Sequence, residues 1–257
     1  MANENNHNCA DSDDLRKDIE LNIEEYGLQV IMIEATDYLP SFAYSIGLWQ
    51  KYNHPEIICF GLSTSLLHTI INDVAEIIKI GESIITEKNY FDRIFNNSKA
   101  EFLKVHPENI DDYFGTAVNF YDTNDFPALQ LVWTDRNDKF PWEENFEEEF
   151  LHKQPLLDRN TEFKFREAKN LATFTTKQWL NEQKPILYVI HDNEGDWLFL
   201  TEEHAQEDIV IVALEQLIRK DKTLNQVFDL EYGEEAERKF IGGDWERTQT
   251  EDDDDEE

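Results

Sequence analysis

Between Ser63 and Gly81 the residues Leu67, Ile70, Ile71, Val74, Ile77 and Ile78 recur three and four positions apart. On a helix they form a single apolar stripe, and a stripe of that width has to be covered by something. Strand-like segments lie just upstream at Leu28–Ile33, Phe42–Leu48 and Ile57–Leu62. Phe42, Tyr44, Ile46 and Leu48 share one strand face, and Ala43, Ser45 and Gly47 the other, by the period of two. Strands followed at once by an amphipathic helix predict helices layered on a sheet.

The remaining segments extend this pattern. Leu15, Ile19, Ile23 and Tyr26 keep helical spacing, with Ser12 or Asp13 as the cap and Gly27 as the stop. Residues 1–11 are polar and read as disordered, and residues 49–56 read as a connecting loop. A short strand follows at Leu103 and Val105, a helix from Ile110 to Tyr121 with Gly115 inside it, and a strand from Leu129 to Trp133. A boundary fits Pro155–Asn160. Beyond it Pro185–His191 and Asp196–Leu200 read as a hairpin about the turn residues Asp192–Gly195. A strand at Ile209–Val212, a helix over Leu214–Phe228 and a last strand within Gly233–Phe240 complete the set. The expected fold class is α+β: two small mixed α/β-layer domains with largely antiparallel sheets, at 12–157 and 160–247, plus a disordered acidic C-terminal tail at 248–257.

Charge narrows the partners. Fifty-six Asp and Glu face twenty-three Lys and Arg, a formal net of -33, and the last twelve residues hold only eight of those acids. Acidity spread through the chain repels phosphate backbones and anionic membrane, so nucleic acid and membrane are disfavoured and a basic protein partner is favoured. Six Trp and seventeen Phe exclude a chain that never packs. Cys9 and Cys59 make no disulfide framework, and Cys59 sits in an apolar run. With neither a signal peptide nor an eighteen-residue apolar run, a cytoplasmic location is expected.

No residue stands out as catalytic. Gly61–Ser65 lies where a nucleophile elbow would, but Ser65 replaces the glycine that such a turn needs, so Ser63 reads as a helix cap. Tyr44, Trp49 and His54 are candidates for lining a pocket, as are His191, Asp196 and Trp197 beside the hairpin turn. Asp135, Asn137 and Asp138 lack the glycine and terminal glutamate of a calcium loop. Without a phosphate-binding glycine loop or a metal-spaced histidine pair, no cofactor and no metal are expected. Acids and aromatics mix most densely at Trp142, Glu143, Glu144, Phe146, Glu147, Glu148 and Glu149, the best candidate contact for a basic partner. The plainer reading places Phe146 and Phe150 on the inner side of a helix whose other side is solvated.

The blocks Phe42–Trp49, His54-Pro55-Glu56-Ile57-Ile58 and Phe60-Gly61-Leu62 resemble the bacterial domain-of-unknown-function family 4262. Pro127–Trp133, Asp135 and Phe140-Pro141-Trp142 fit the same family, so the resemblance covers about residues 20–157. Ser45 stands where Thr is commoner, and Thr134 where Pro is. Residues 184–247 are similar to domain-of-unknown-function family 2185, grouped with immunity-type proteins, through Pro185–Leu187, His191-Asp192, Gly195-Asp196-Trp197, Phe199-Leu200, Leu230, Gly233, Ala236, Arg238 and Trp245. These resemblances imply no catalytic residue. They imply a bacterial cytoplasmic protein that binds and neutralises a partner, of the immunity or antitoxin kind. The alternatives are a small-molecule enzyme or sensor built around Tyr44, Trp49 and His54, and an inhibitor whose spaced carboxylates imitate DNA.

Overall fold

The computed structural model describes residues 7–202 and 205–250. Contacts divide the chain into two units. Unit 1 takes the residues through Ala35 together with Pro40–Thr161, and unit 2 takes Thr36–Leu39 and the chain from Glu162.

Unit 1 contains α1 (His7–Tyr26), β1 (Gln29–Ile33), β2 (Phe42–Ile46), α2 (Leu48–Tyr52), β3 (Glu56–Phe60) and α3 (Thr64–Lys79). It continues with β4 (Ala100–Lys104), α4 (Ile110–Tyr113), α5 (Gly115–Tyr121) and β5 (Ala128–Trp133). The sheet runs β1-β2-β3-β5-β4, with β3 and β5 parallel and the other pairs antiparallel. Every residue of β3 and β5 is buried, as befits central strands covered on both faces. The stripe of α3 supplies one cover, packing Leu67, Ile70, Ile71 and Val74 with Ala43, Ile57, Cys59, Leu129 and Leu131. Each buried Leu, Ile or Val among them stabilises the fold by about 1.5–3 kcal/mol. On the opposite face Phe42 meets Phe60 at 5.2 Å and Tyr113 at 5.8 Å, and Tyr44 meets Phe114 at 5.0 Å.

Unit 2 contains β6 (Ala172–Thr176), α6 (Lys177–Glu182), β7 (Tyr188–His191), β8 (Trp197–Leu200), β9 (Ile209–Ala213), α7 (Leu214–Lys220), β10 (Glu234–Glu237) and β11 (Glu246–Gln249). Its sheet runs β11-β10-β7-β8-β6-β9, with β6 and β8 parallel. The β7–β8 hairpin forms as expected, closed at Asp192, whose Oδ1 accepts the amides of Glu194 at 2.9 Å and Asp196 at 2.8 Å. Arg238 is locked inside the unit. It donates to Asp221 and Thr223, each at 2.5 Å, and to the Ile186 carbonyl, with its guanidinium over Trp245.

Both units mix helices with mainly antiparallel sheets, so the fold is α+β. Several boundaries differ from expectation. The first helix extends upstream of the expected Ser12 or Asp13 cap, with no Gly or Pro in residues 7–13 to interrupt it; residues 7–11 are therefore helical, and residues 1–6 lie outside the described ones. The expected loop at 49–56 contains α2. The expected helix from Ile110 to Tyr121 breaks at Phe114, and Gly115 opens α5 instead of lying inside one continuous helix. Leu214–Phe228 breaks at Asp221, whose carboxylate holds Thr223 and Arg238. The expected tail starts too early: Thr248 and Gln249 pair in β11, and the Thr250 amide donates to the Gly233 carbonyl at 2.7 Å. Residues 251–257 of that tail lie outside the described ones. Among the described residues no helix is long and apolar enough to cross a membrane.

Candidate functional site

Gly47 follows the end of β2 with φ 114°, a conformation that disfavours any side chain, and a Cβ there would lie 2.7 Å from Ile23. The chain then turns directly into α2. No side chain of its own caps that helix; the first strand residue after it does. Glu56 is fully buried, and its Oε1 accepts the amides of Gly47 at 3.0 Å and Trp49 at 2.9 Å and the Tyr121 hydroxyl at 2.5 Å. Its Oε2 accepts the Ser45 hydroxyl at 2.5 Å, and Ser45 Oγ in turn accepts the Ile57 amide at 2.9 Å. Burial pushes the Glu56 carboxyl above its ordinary range, against the pull of these donors. The carboxylate joins β2, α2, β3 and α5 at one point.

The residues that converge here, Ser45, Gly47, Trp49 and Glu56, belong to one conspicuous stretch of the sequence. Residues 22–147 match the DUF4262 family model. That family is described as a domain of unknown function. No curated protein and no solved structure matches the chain. Within the DUF4262 region the three pocket candidates take separate partners. The Tyr44 hydroxyl accepts the Thr116 amide at 3.2 Å, and Trp49 packs on Tyr121 at 5.0 Å beside the Glu56 network. His54 is buried; its Nδ1 contacts the Pro55 carbonyl at 2.8 Å, its Nε2 lies 3.3 Å from the Ile84 amide, and burial lowers its pKa. His54 thus serves the fold locally. Ser63 occupies the cap position of α3, but its hydroxyl makes no capping bond.

The acidic segment after β5 is a loop with one short turn of 3-10 helix at Glu148–Phe150, not the α-helix of the plainer reading. Asp135 organises it, accepting the amides of Asn137 at 2.8 Å, Lys139 at 2.9 Å and Glu147 at 3.0 Å. Burial pushes the Asp135 carboxyl up, but those three amides outweigh it and hold it below its ordinary value. Arg136 pairs with Glu147 at 2.7 Å and with Glu149, while Glu143 accepts the Phe140 amide at 2.7 Å. Trp142 stacks on Phe140 at 4.7 Å and stays 38% exposed; Phe146 is half-buried, and Phe150 packs against Trp133. Glu144 and Glu148 point outward beside this aromatic patch, both exposed.

In unit 2 the hairpin brings His191 opposite Trp197, with rings stacked 4.1 Å apart, while Asp196 is exposed at the turn. His191 Nδ1 contacts the Leu230 carbonyl at 2.7 Å. Burial lowers its pKa. Trp197 Nε1 is buried without a hydrogen-bond partner among the described residues. Tyr38 closes the cluster edge-on to His191 at 4.7 Å, donates to Glu167 at 3.0 Å and lies under the Arg166 guanidinium at 3.7 Å. Sequence reasoning missed Tyr38, Arg166 and Glu167, because Tyr38 lies far from the other two in the chain. It also missed Glu56, although a carboxylate heading the apolar strand Ile57–Phe60 was a visible signal.

Proposed function

We propose that the chain is a non-catalytic protein-binding module of the immunity or antitoxin kind, acting in the bacterial cytoplasm on a basic partner. The observation that carries this reading is the loop after β5, where Glu144 and Glu148 are exposed beside the exposed ring of Trp142. An aromatic ring beside exposed carboxylates suits an interface, even with the Arg159 guanidinium 5.6 Å over the ring and Lys139 on the Glu144 carbonyl at 2.6 Å: the ring supplies contact area, and the charge speeds encounter and sets orientation. The net charge of -33 supports the same sign of partner.

The test captures the partner from the native host on the immobilised chain at low and high salt, then measures association kinetics. The variant is Glu144→Lys with Glu148→Lys; Glu147 is left alone because it holds Arg136. Association should slow by about tenfold at low salt, with the difference shrinking as salt rises. Unchanged association in a folded variant rejects this loop as the contact.

A further inference from the structure

An outer strand of a sheet presents a row of backbone amides and carbonyls that its own sheet leaves unpaired. In unit 1 both outer strands are blunted. β4 is covered by backbone: the Glu87 amide donates to the Phe102 carbonyl at 3.1 Å and the Tyr90 amide to the Ala100 carbonyl at 2.8 Å. On β1 the Gln29 side chain, itself held by Asn22, donates to the Val30 carbonyl at 2.6 Å. In unit 2, β11 is Glu-Arg-Thr-Gln, whose charges deter pairing. β9, the other outer strand of that sheet, is Ile-Val-Ile-Val-Ala, with no charge, Pro or Gly to protect it.

The register shows which groups of β9 are open. The Leu214 amide donates to the Leu171 carbonyl at 2.9 Å, and these two residues form the next rung of the β6–β9 ladder. Hydrogen-bonded rungs alternate in an antiparallel pair, so Val210 and Val212 bond to β6. The amides and carbonyls of Ile209 and Ile211, and the Ala213 amide, point the other way, and among the described residues none of them is paired. Ile211 is also 65% exposed. Glu207 and Glu215 stand exposed beyond the two ends of the strand. The nearby Lys177 ammonium is taken by the Glu207 carbonyl at 2.6 Å and lies 3.9 Å from Asp208.

We infer that the β9 edge takes an extended segment of a protein partner as an added outer strand, with a β-branched middle and a lysine or arginine at each end. The inference rests on the protein-binding reading above and gives it a mode of contact. Alternating open donors and acceptors select an extended backbone, and the uncharged β-branched row selects an apolar middle. Charge decides between a partner and a second copy. An antiparallel copy centred on Ile211 would bring Glu215 against Glu207 at both ends, between two molecules of net charge -33. Basic ends would instead meet both carboxylates.

The test uses the full chain and a fluorescein-labelled peptide with lysine at each end of an alternating valine–threonine run, followed by anisotropy. Two further versions carry N-methyl groups on alternate amides, one on the odd positions and one on the even. One of them should bind about tenfold more weakly than the other, because only one set of amides faces the edge. Equal affinities overturn the inference. Ile211→Pro removes an outward amide and should weaken the unmodified peptide by about tenfold with little change in melting midpoint. Val212→Pro, whose amide bonds to β6, should lower the midpoint. If Ile211→Pro does not fold, Ile211→Lys, which charges the edge, replaces it with the same expected loss. Unchanged peptide binding in the folded variant overturns the inference. So does a dimer in light scattering that the Ile211 variant abolishes, since a second copy would then cover the edge. If that variant still captures the native partner with wild-type kinetics, strand addition fails and the protein-binding reading stands. If no native partner is captured while the peptide keeps its dependence on its amides and on Ile211, strand addition stands and that reading fails.

Discussion

Replacing Glu56 separates two things that the carboxylate does at once: it accepts four hydrogen bonds, and it carries a buried charge. In Glu56→Ala the Trp49 amide loses its acceptor, and the Ser45 and Tyr121 hydroxyls lose theirs; the Gly47 amide still has the Tyr121 oxygen at 2.8 Å. One orphaned buried amide costs about 1–3 kcal/mol and each hydroxyl about 1 kcal/mol, so the loss should be about 3–5 kcal/mol. That is a large part of the stability of an ordinary domain. Glu56→Gln keeps an acceptor at the Oε1 position for three of the donors and gives up the bond to Ser45, for about 1 kcal/mol. The charge adds a pH signature. Burial raises the Glu56 pKa above 4.5, so the protonated form is favoured in the fold. Its contribution is complete below 4.5 and is lost as pH rises through the raised value. Wild type should therefore lose ground to Glu56→Gln between acidic and neutral pH. Urea unfolding followed by tryptophan fluorescence and circular dichroism at several pH values reads all three quantities. If Glu56→Ala stays within about 1 kcal/mol of wild type, or Glu56→Gln is as damaging as Glu56→Ala, hydrogen-bond satisfaction is not what the carboxylate provides.

Two further perturbations have defined signs. Burial lowers the His191 pKa below 6.5, so the fold favours the neutral ring; stability is complete above 6.5 and falls as pH drops through the lowered value. Glu167, Arg166 and Asp192 act on the same imidazole, and melts at pH 7.5 and 5.5 should show a smaller acid-induced drop in His191→Asn than in wild type. Arg238→Ala should cost about 3–5 kcal/mol in urea unfolding, because Asp221 is left buried without its partner. Adding Asp221→Asn to it should recover a good part of that loss.

The parts of the fold legible in the sequence were those held by local pattern. The α3 stripe, the alternation of Phe42, Tyr44 and Ile46, and the β7–β8 hairpin about Asp192 all follow from spacing and turn chemistry. What was illegible depends on partners distant in the chain. α2 follows a glycine and is capped by Glu56, from the strand beyond it. β6 is Ala-Thr-Phe-Thr-Thr, too polar to read as a strand, yet Thr173 and Thr175 are buried because their hydroxyls reach the carbonyls of Val212 and Phe199. The surroundings of Tyr44 and His54 were illegible for the same reason: they are held by Thr116 and Ile84, which no spacing rule connects to them. The acidic loop was legible as a segment but not as a conformation, since Asp135 and Arg136 fold it from outside the run of glutamates.

The four residues Thr36–Leu39 belong to unit 2 although they precede most of unit 1 in the chain. Tyr38 among them is 3% exposed, against His191, Trp197 and Arg166. A ribosome delivers this piece first and then makes all of residues 40–161 before the sheet that receives it begins to emerge. At about 5–20 residues per second that is a wait of roughly 6 to 25 s, long compared with the closing of a sheet. Tyr38 must stay available through that interval, so the two units cannot mature strictly one after the other. A fragment beginning at residue 162 would emerge with a vacancy beside His191 that no later part of the chain can fill.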